Sequence, residues 1–497
     1  MDFITNYLVY NSQKYAEKVA IVWKDKEISW KELYKKVSCW AEKLKTLVKG
    51  EGRIVGIFLP NSLEFIISHL AVLSLKHISW PIDPQYKEVE LEPLIKEIKP
   101  ALLITDEIRA QQVKSARVLL TEKIETSTDN NLEICRVKGK PERTAATLLL
   151  TSGTTGKPKA TLYSHANHLW NVKTLSKVWR WTQKDSILLS LPLSHWHGLV
   201  IGLTGSIYHG NTIYLEERFE TERTLELLSS GKISLFMHVP SAYQRIVNFP
   251  DAEKYDLSKV RLFISGSSYL PPSLWEEFYR KFGVKILERY GSSEAGIICS
   301  NPYEERIPGS VGYPLPDVKI KLLNEKGEEI TDEEKEGEVA VSSPGIFMGY
   351  YKEGKVIPPQ LKDGFLRTGD IGIIKNGRLY LKGRIPEKIK KKGYSVYPRD
   401  IEWVVNLHPE VRECYVLGVQ RENQIDDEIV YFVVPKRQIS QKQFYEYCRE
   451  KMPNYWLPDK VIFLKEIPKT NSGKPKMKML YNIYLSKKNS KKEKWTN

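Results

Sequence analysis

The chain has 497 residues, more than one hydrophobic core serves well, so two or more domains are expected. Hydrophobic residues make up 41% and charged residues 28%, with 30 Gly and 27 Pro spread along the chain, which excludes a disordered or fibrous protein. The net charge is +15, and the last 112 residues hold 23 Lys/Arg against 14 Asp/Glu without any RNP-like stretch, zinc finger or helix-turn-helix pattern, so no nucleic acid is expected and a polyphosphate ligand fits better.

The opening MDFITNYLVYNSQKYAEK lacks a basic start followed by an apolar run, so no secretory signal is expected. The cysteines, at 39, 135, 299, 414 and 448, form no CxxC or Cys/His spacing and read as reduced thiols of a cytoplasmic protein without zinc. RIVGIFLP (53–60) predicts a strand, SLEFIISHLAVLSLK (62–76) a helix and ISWPI (78–82) a strand, the rhythm of an α/β fold. The most apolar stretch, Phe65 to Leu75, is interrupted by Ser68, His69 and Ser74 and falls short of a span of about 20 residues, so no transmembrane segment is expected. The same alternation returns at SILLSLP, KISLFMHV, VRLFISG and KILERYG, each closed by Pro or Gly. At GRIPEK (383–388) a Gly/Pro break precedes a basic run. Beyond it a helix from Pro398 to Leu407, strands ECYVLGV and EIVYFVVP, a helix from Gln441 to Lys451 and a strand KVIFLKEI make a small α+β unit. The expected organisation is a large, multi-subdomain amino-terminal domain of sheets flanked by helices, residues 1–384, and a small mobile lid, residues 385–497.

The chemistry concentrates in LLLTSGTTGKPKATLYSHAN (148–167). An apolar strand runs into Thr151, Ser152, Gly153, Thr154, Thr155, Gly156 and Lys157, where small residues let backbone N–H groups approach an anion while hydroxyls and lysine add donors and charge. It is a phosphate-holding loop but not a Walker A loop, because Gly153 and Gly156 enclose two residues and Pro158 follows the lysine. ERYGSSEAG (288–296), GFLRTGDIG (364–372), GRIPEKIKKKGYSVYPRDIE (383–402) and PKTNSGK (468–474) follow in that order. Together these segments resemble the adenylate-forming (AMP-binding) superfamily of acyl-CoA synthetases, luciferases and peptide-synthetase adenylation domains, and the resemblance extends over essentially the whole chain.

That resemblance implies an enzyme that uses ATP and Mg²⁺ to turn a carboxylic acid into acyl-AMP with release of pyrophosphate, then passes the acyl group to coenzyme A. It implies that Thr151 to Lys157 hold the triphosphate, that Glu294 with Thr151 holds Mg²⁺, and that Tyr290 stacks on adenine. Ser267, Glu288, Arg289, Gly291, Ser292 and Ser293 would complete the nucleotide site. Asp370 would accept the ribose hydroxyls, Arg384 would reach ribose or phosphate oxygens, and Lys474 would bridge the substrate carboxylate and the α-phosphate. After a lid rotation, Lys392 and Gly393 would line a thiol tunnel. Independently of the family, an acidic side chain beside a triphosphate loop is what Mg²⁺ requires.

LPLSHWHGL, HVPSAYQRI and FISGSSYLPP resemble the family's acyl-pocket walls, which places His195, Arg245, Ser265, Gly266 and Arg289 at the substrate, with His195 as a gate and catalytic candidate alongside Lys474 and Glu294. The closest resemblance is to malonyl-CoA synthetases, where residues matching Arg245 and Arg289 hold the distal carboxylate; the alternative is that each arginine pairs with a structural acid. Strand alternation predicts that Arg289 and Tyr290 point to opposite faces. His195 and His197 lack a third ligand, so zinc is not expected. Three positions depart from the pattern: Ala160 for Gly, Ser293 for Thr, and Pro386 at the hinge, where proline fixes φ so that rotation depends on ψ or on neighbours. Two alternatives stand beside a malonate-like acid: a fatty or aryl acid:CoA ligase, and an adenylation enzyme that loads an acyl carrier protein thiol or an amine.

Overall fold

Strand Ile54–Phe58 is buried at all five positions and pairs in parallel with Ile78–Pro81 on one side and Leu102–Thr105 on the other. A strand covered on both faces can be apolar throughout, which is why its sequence does not alternate. Helix Leu63–Ser74 starts at Ser62, whose side chain accepts from the Phe65 N–H, and nine of its residues are buried. The computed structural model describes residues 3–123, 136–151, 158–392, 394–420, 426–470 and 474–488. Within it this unit belongs to an eight-stranded sheet ordered Lys355–Ile357, Gly349–Lys352, Lys159–Ser164, Ala145–Thr151, Ile78–Pro81, Ile54–Phe58, Leu102–Thr105 and Val118–Leu120.

A nine-stranded sheet has a parallel centre made of Ser186–Leu189, Leu235–His238, Leu262–Ser265 and Ile286–Ser292. Register sets His238 opposite Ser265, and Ser265 opposite Glu288, so adjacent strands deliver their carboxyl ends to one edge. Ligands of open α/β sheets bind beyond such ends. A five-stranded antiparallel sheet then carries Leu366–Lys375 against Arg378–Arg384, with Asp370 opposite Arg384. Here the chain leaves the large domain.

From Ile389 onward the buried residues form clusters of their own, one around Ile401, Val416 and Tyr431, another around Phe432, Ile462 and Leu480. The lid comprises a hairpin of Ile389–Lys391 and Tyr394–Val396, a sheet of Val411–Val419, Glu428–Pro435 and Lys460–Phe463, and helices Pro398–Asn406, Gln441–Lys451 and Met477–Lys488. The expected lid elements are present. Helix Met477–Lys488 was not expected, because it buries only a narrow stripe at Leu480 and Tyr484 while Met477, Met479, Tyr481 and Leu485 stay exposed. Pro386 stands in a tight helical turn, Ile385–Glu387, at its first positions, where a fixed φ near −65° suits the backbone.

Candidate active site

The phosphate-loop hairpin is fixed at its feet: Ala145–Thr151 pairs antiparallel with Lys159–Ser164, and Thr151 faces Lys159. Ser152, Gly153, Thr154, Thr155, Gly156 and Lys157 lie outside the described residues. The Thr151 hydroxyl donates to the Lys159 carbonyl at 3.4 Å, and the Lys159 ammonium lies 5.3 Å from the Tyr350 ring centroid. Tyr350 in turn donates its hydroxyl to Glu294 Oε1 at 3.0 Å. The Tyr163 hydroxyl donates to the Ser293 carbonyl at 2.6 Å and holds the turn before Glu294. Nothing in the sequence marks Tyr163 or Tyr350 as site residues, because their partners are brought up by sheet pairing rather than by proximity in the chain.

Strand Ile286–Ser292 supplies the centre of the cleft. Its alternation sends Tyr290 and Arg289 to different surroundings, as the sequence predicts. The Tyr290 hydroxyl donates to Asp370 Oδ2 at 2.6 Å, and Arg384 Nε donates to Asp370 Oδ1 at 2.8 Å. Each carboxylate oxygen still has a second lone pair to offer a ribose hydroxyl. Tyr290 is therefore also the residue that orients the carboxylate assigned to ribose, a contact its motif does not announce.

Arg289 goes the other way. It is 4% exposed, and burial pushes its guanidinium down to about 10. Nη2 donates to Ser267 Oγ at 3.3 Å, Ser267 Oγ meets His197 Nδ1 at 3.3 Å, and Nε has no hydrogen-bond partner among the described residues. No acid lies within ion-pair distance of Arg289 among those residues. The same lack of partners extends to Ser265 Oγ, His197 Nε2 and both ring nitrogens of His238. Ser267 holds φ at +71°, an arrangement that costs a non-glycine residue about 1 kcal/mol and sets its hydroxyl between the arginine and the histidine. Gly266 makes room for this packing: a Cβ there would sit 2.4 Å from Arg289 Nε.

Arg245 does not join this group. It is exposed on helix Pro240–Val247, its guanidinium 4.9 Å from the Phe219 ring centroid. Burial pushes the pKa of His238 down to about 3, and the Arg245 charge adds to that lowering. The pairing of two arginines on one carboxylate is not what this structure displays. Its helix turns the position outward, which strand-and-motif reading could not foresee.

Two further groups complete the cleft. His195 Nε2 is 4.0 Å from Asp83 Oδ2, and burial lowers its pKa, with Asp83 opposing and Lys474 adding to the shift. Lys474 keeps solvent contact, yet desolvation by the surrounding protein lowers its pKa below the ordinary lysine value. Arg384 and Arg289 add to that lowering, while Glu294 and Asp370 oppose it. A lid residue thus shares one field with Glu294, Asp370, Arg289 and His195. Gly291, Ser292 and Ser293 follow on the strand and its turn, half-buried. Lys392 lies elsewhere, exposed at the turn of the lid hairpin with φ +49°, its N–H donating to Asp426 Oδ1 at 2.8 Å; Gly393 lies outside the described residues.

Comparison with known proteins supplies the context. The family model "AMP-binding enzyme" matches residues 8–351 and "AMP-binding enzyme C-terminal domain" matches residues 400–474. Mitochondrial malonate–CoA ligase of Mus musculus is 29% identical, covering 95% of this chain and 90% of that protein. Oxalate–CoA ligase of Arabidopsis thaliana is 29% identical over 88% of this chain and 89% of that protein. Among solved structures, ATP-bound MatB from Rhodopseudomonas palustris aligns with a TM-score of 0.88 at 26% identity, covering 97% of this chain and 99% of that one, and apo MatB aligns at 0.76.

Proposed function

We infer the reaction from a premise the matched models supply: the chain belongs to the AMP-binding enzyme family and carries that family's C-terminal domain. It is an acid–thiol ligase of the AMP-forming type, which activates a carboxylic acid with ATP and transfers the acyl group to coenzyme A. We propose that its acid is a short dicarboxylate of malonate size. The observation that carries this reading is Arg289, a buried guanidinium without an acid partner among the described residues and ringed by unpaired polar atoms. A buried charge left alone is costly. A second carboxylate on the substrate would complete it, with Ser265, Ser267 and His197 as further donors. Relatives named for malonate and oxalate support the same reading.

The acid's reacting carboxylate and the α-phosphate are both anionic and repel each other. In the proposed mechanism Lys474 lies between them, offsets that repulsion and neutralises charge as the pentavalent centre forms. Asp370, held by Tyr290 and Arg384, fixes the ribose and so the direction of in-line attack. Mg²⁺, when bound, would neutralise phosphate charge. Glu294 fits that ion, since Mg²⁺ commonly takes one carboxylate plus phosphate oxygens and, among the described residues, Tyr350 engages only one of the two Glu294 oxygens. His195 beside Asp83 walls the acyl side. Pyrophosphate leaves, and the thiol then displaces AMP from the acyl carbon.

The division between residues 384 and 385 is proposed on the separate lid cores described above. No helix among the described residues is long and apolar enough to cross a membrane; a cytoplasmic location is proposed on the cysteine pattern. The reading is tested by pyrophosphate release across a panel of acids, with acyl-CoA followed by mass spectrometry. Malonate and its 2-methyl analogue should lead the panel; a long-chain or aryl monocarboxylate in front would refute the dicarboxylate assignment.

A further inference from the structure

Arg399, the second residue of lid helix Pro398–Asn406, reaches back across the domain junction. Its guanidinium lies 5.4 Å from the centroid of the Tyr269 ring on the large domain, within cation–π range. Beside Tyr269, the Leu270 N–H donates to the Glu288 carboxylate, whose Oε2 is buried with no hydrogen-bond partner among the described residues. Burial pushes that carboxyl up to about 8, and Arg399 is the cation opposing the push. Arg399 acts the same way on Glu387 in the linker and on Asp400 and Glu402 of its own helix. One lid guanidinium therefore serves carboxyls of the body, the linker and the lid. A second tie crosses the junction alongside, Lys382 Nζ to Asp400 Oδ1 at 3.5 Å. In this same orientation Lys474 shares the field of Glu294 and Asp370.

We propose that Arg399 is a positioning residue for adenylate formation, docking the lid on Tyr269 and Glu288 in the orientation that presents Lys474 to the cleft. It touches no reacting atom. Glu288 has been taken out of water, and beyond the Leu270 N–H that cost is relieved by the Arg399 charge. Because the charge is supplied from the lid, the relief exists while the lid is docked in this way. Loss of Arg399 then removes the preference for one lid orientation without removing Lys474, Glu294 or Asp370 from the cleft. The proposal rests on the two-step ligase reaction and not on the identity of the acid.

The test uses the full chain and separates the half-reactions. Acid-dependent exchange of pyrophosphate into ATP reports adenylate formation; conversion of synthetic acyl-adenylate and coenzyme A to thioester reports the second step. Arg399→Ala should lower exchange by about 10-fold, the scale of one lost charge–charge contact, while thioester formation stays within about 2-fold and the melting temperature holds. Arg399→Lys, which keeps the charge, should recover part of the exchange. Tyr269→Leu removes the ring from the other side and should give the same split, which decides the matter if Arg399→Ala does not fold. Equal loss of both steps in folded protein, or unchanged exchange, overturns the docking role. A wild-type protein without acid-dependent exchange overturns the ligase reading itself.

Discussion

At the scale of single residues the site divides into groups that fix and groups that react. Arg289 fixes: replacing it with leucine should lower kcat/KM for a dicarboxylate by at least about 10-fold, as loss of a desolvated charge partner does, with KM for ATP unchanged. Steady-state kinetics with malonate checks this, and unaltered kinetics would remove the reason for assigning a second carboxylate. Lys474 is proposed to act in the first step: Lys474→Ala should abolish acyl-AMP formation and leave thioester formation from preformed acyl-AMP intact, since only the first step brings two anions together. Parallel loss in both assays would show that Lys474 serves the fold or both steps. The residues that the motifs nominate are those whose chemistry needs a particular side chain at a fixed spacing: Glu294, Asp370, Arg384 and Lys474. Tyr350, Tyr163 and Asp83 escaped because they act through partners far away in sequence, and the motif that nominates Arg245 carries no sign of the helix that turns it outward.

At the scale of elements the amino-terminal domain has an acid-sensitive seam. His69 and His165 are pushed down to about 3 by burial, and His168 lies well below its usual value for the same reason. In the unfolded chain these imidazoles take up protons near pH 6.5. Between about pH 6.5 and 3 the unfolded state therefore binds more protons than the native state, and stability present above 6.5 is lost as pH falls. Both nitrogens of His165 are buried without partners among the described residues, with the Phe3 ring centroid 4.9 Å away. His165→Leu should accordingly melt higher than wild type at pH 5, by a larger margin than at pH 7.5; calorimetry at the two pH values decides, and a constant margin would contradict the assignment. Elements were legible where burial is extensive, as in Ile54–Phe58 and Leu63–Ser74, because a largely apolar run leaves few options. Met477–Lys488 was not legible, its buried stripe being too thin to show a period.

At the scale of the whole molecule, charge and hinge matter most. The excess of 23 Lys/Arg over 14 Asp/Glu in the last 112 residues lies on the domain expected to meet coenzyme A, a polyanion. Surface attraction of that kind is screened over about 8 Å at physiological ionic strength. Raising salt from 20 to 200 mM, about a threefold drop in screening length, should therefore increase KM for coenzyme A several-fold while KM for the acid, proposed to bind at the buried Arg289, moves little. Equal shifts would place both effects on the cleft.

The strand pairing of Asp370 with Arg384 gives the molecule one further property. The carboxylate that would grip the nucleotide sugar is bonded to the residue that begins the linker, so the two events share a component. Sharing makes them thermodynamically reciprocal: whatever factor the bound nucleotide contributes toward the docked lid, the docked lid must return as tighter nucleotide binding. Release of AMP and release of the lid would then be linked events.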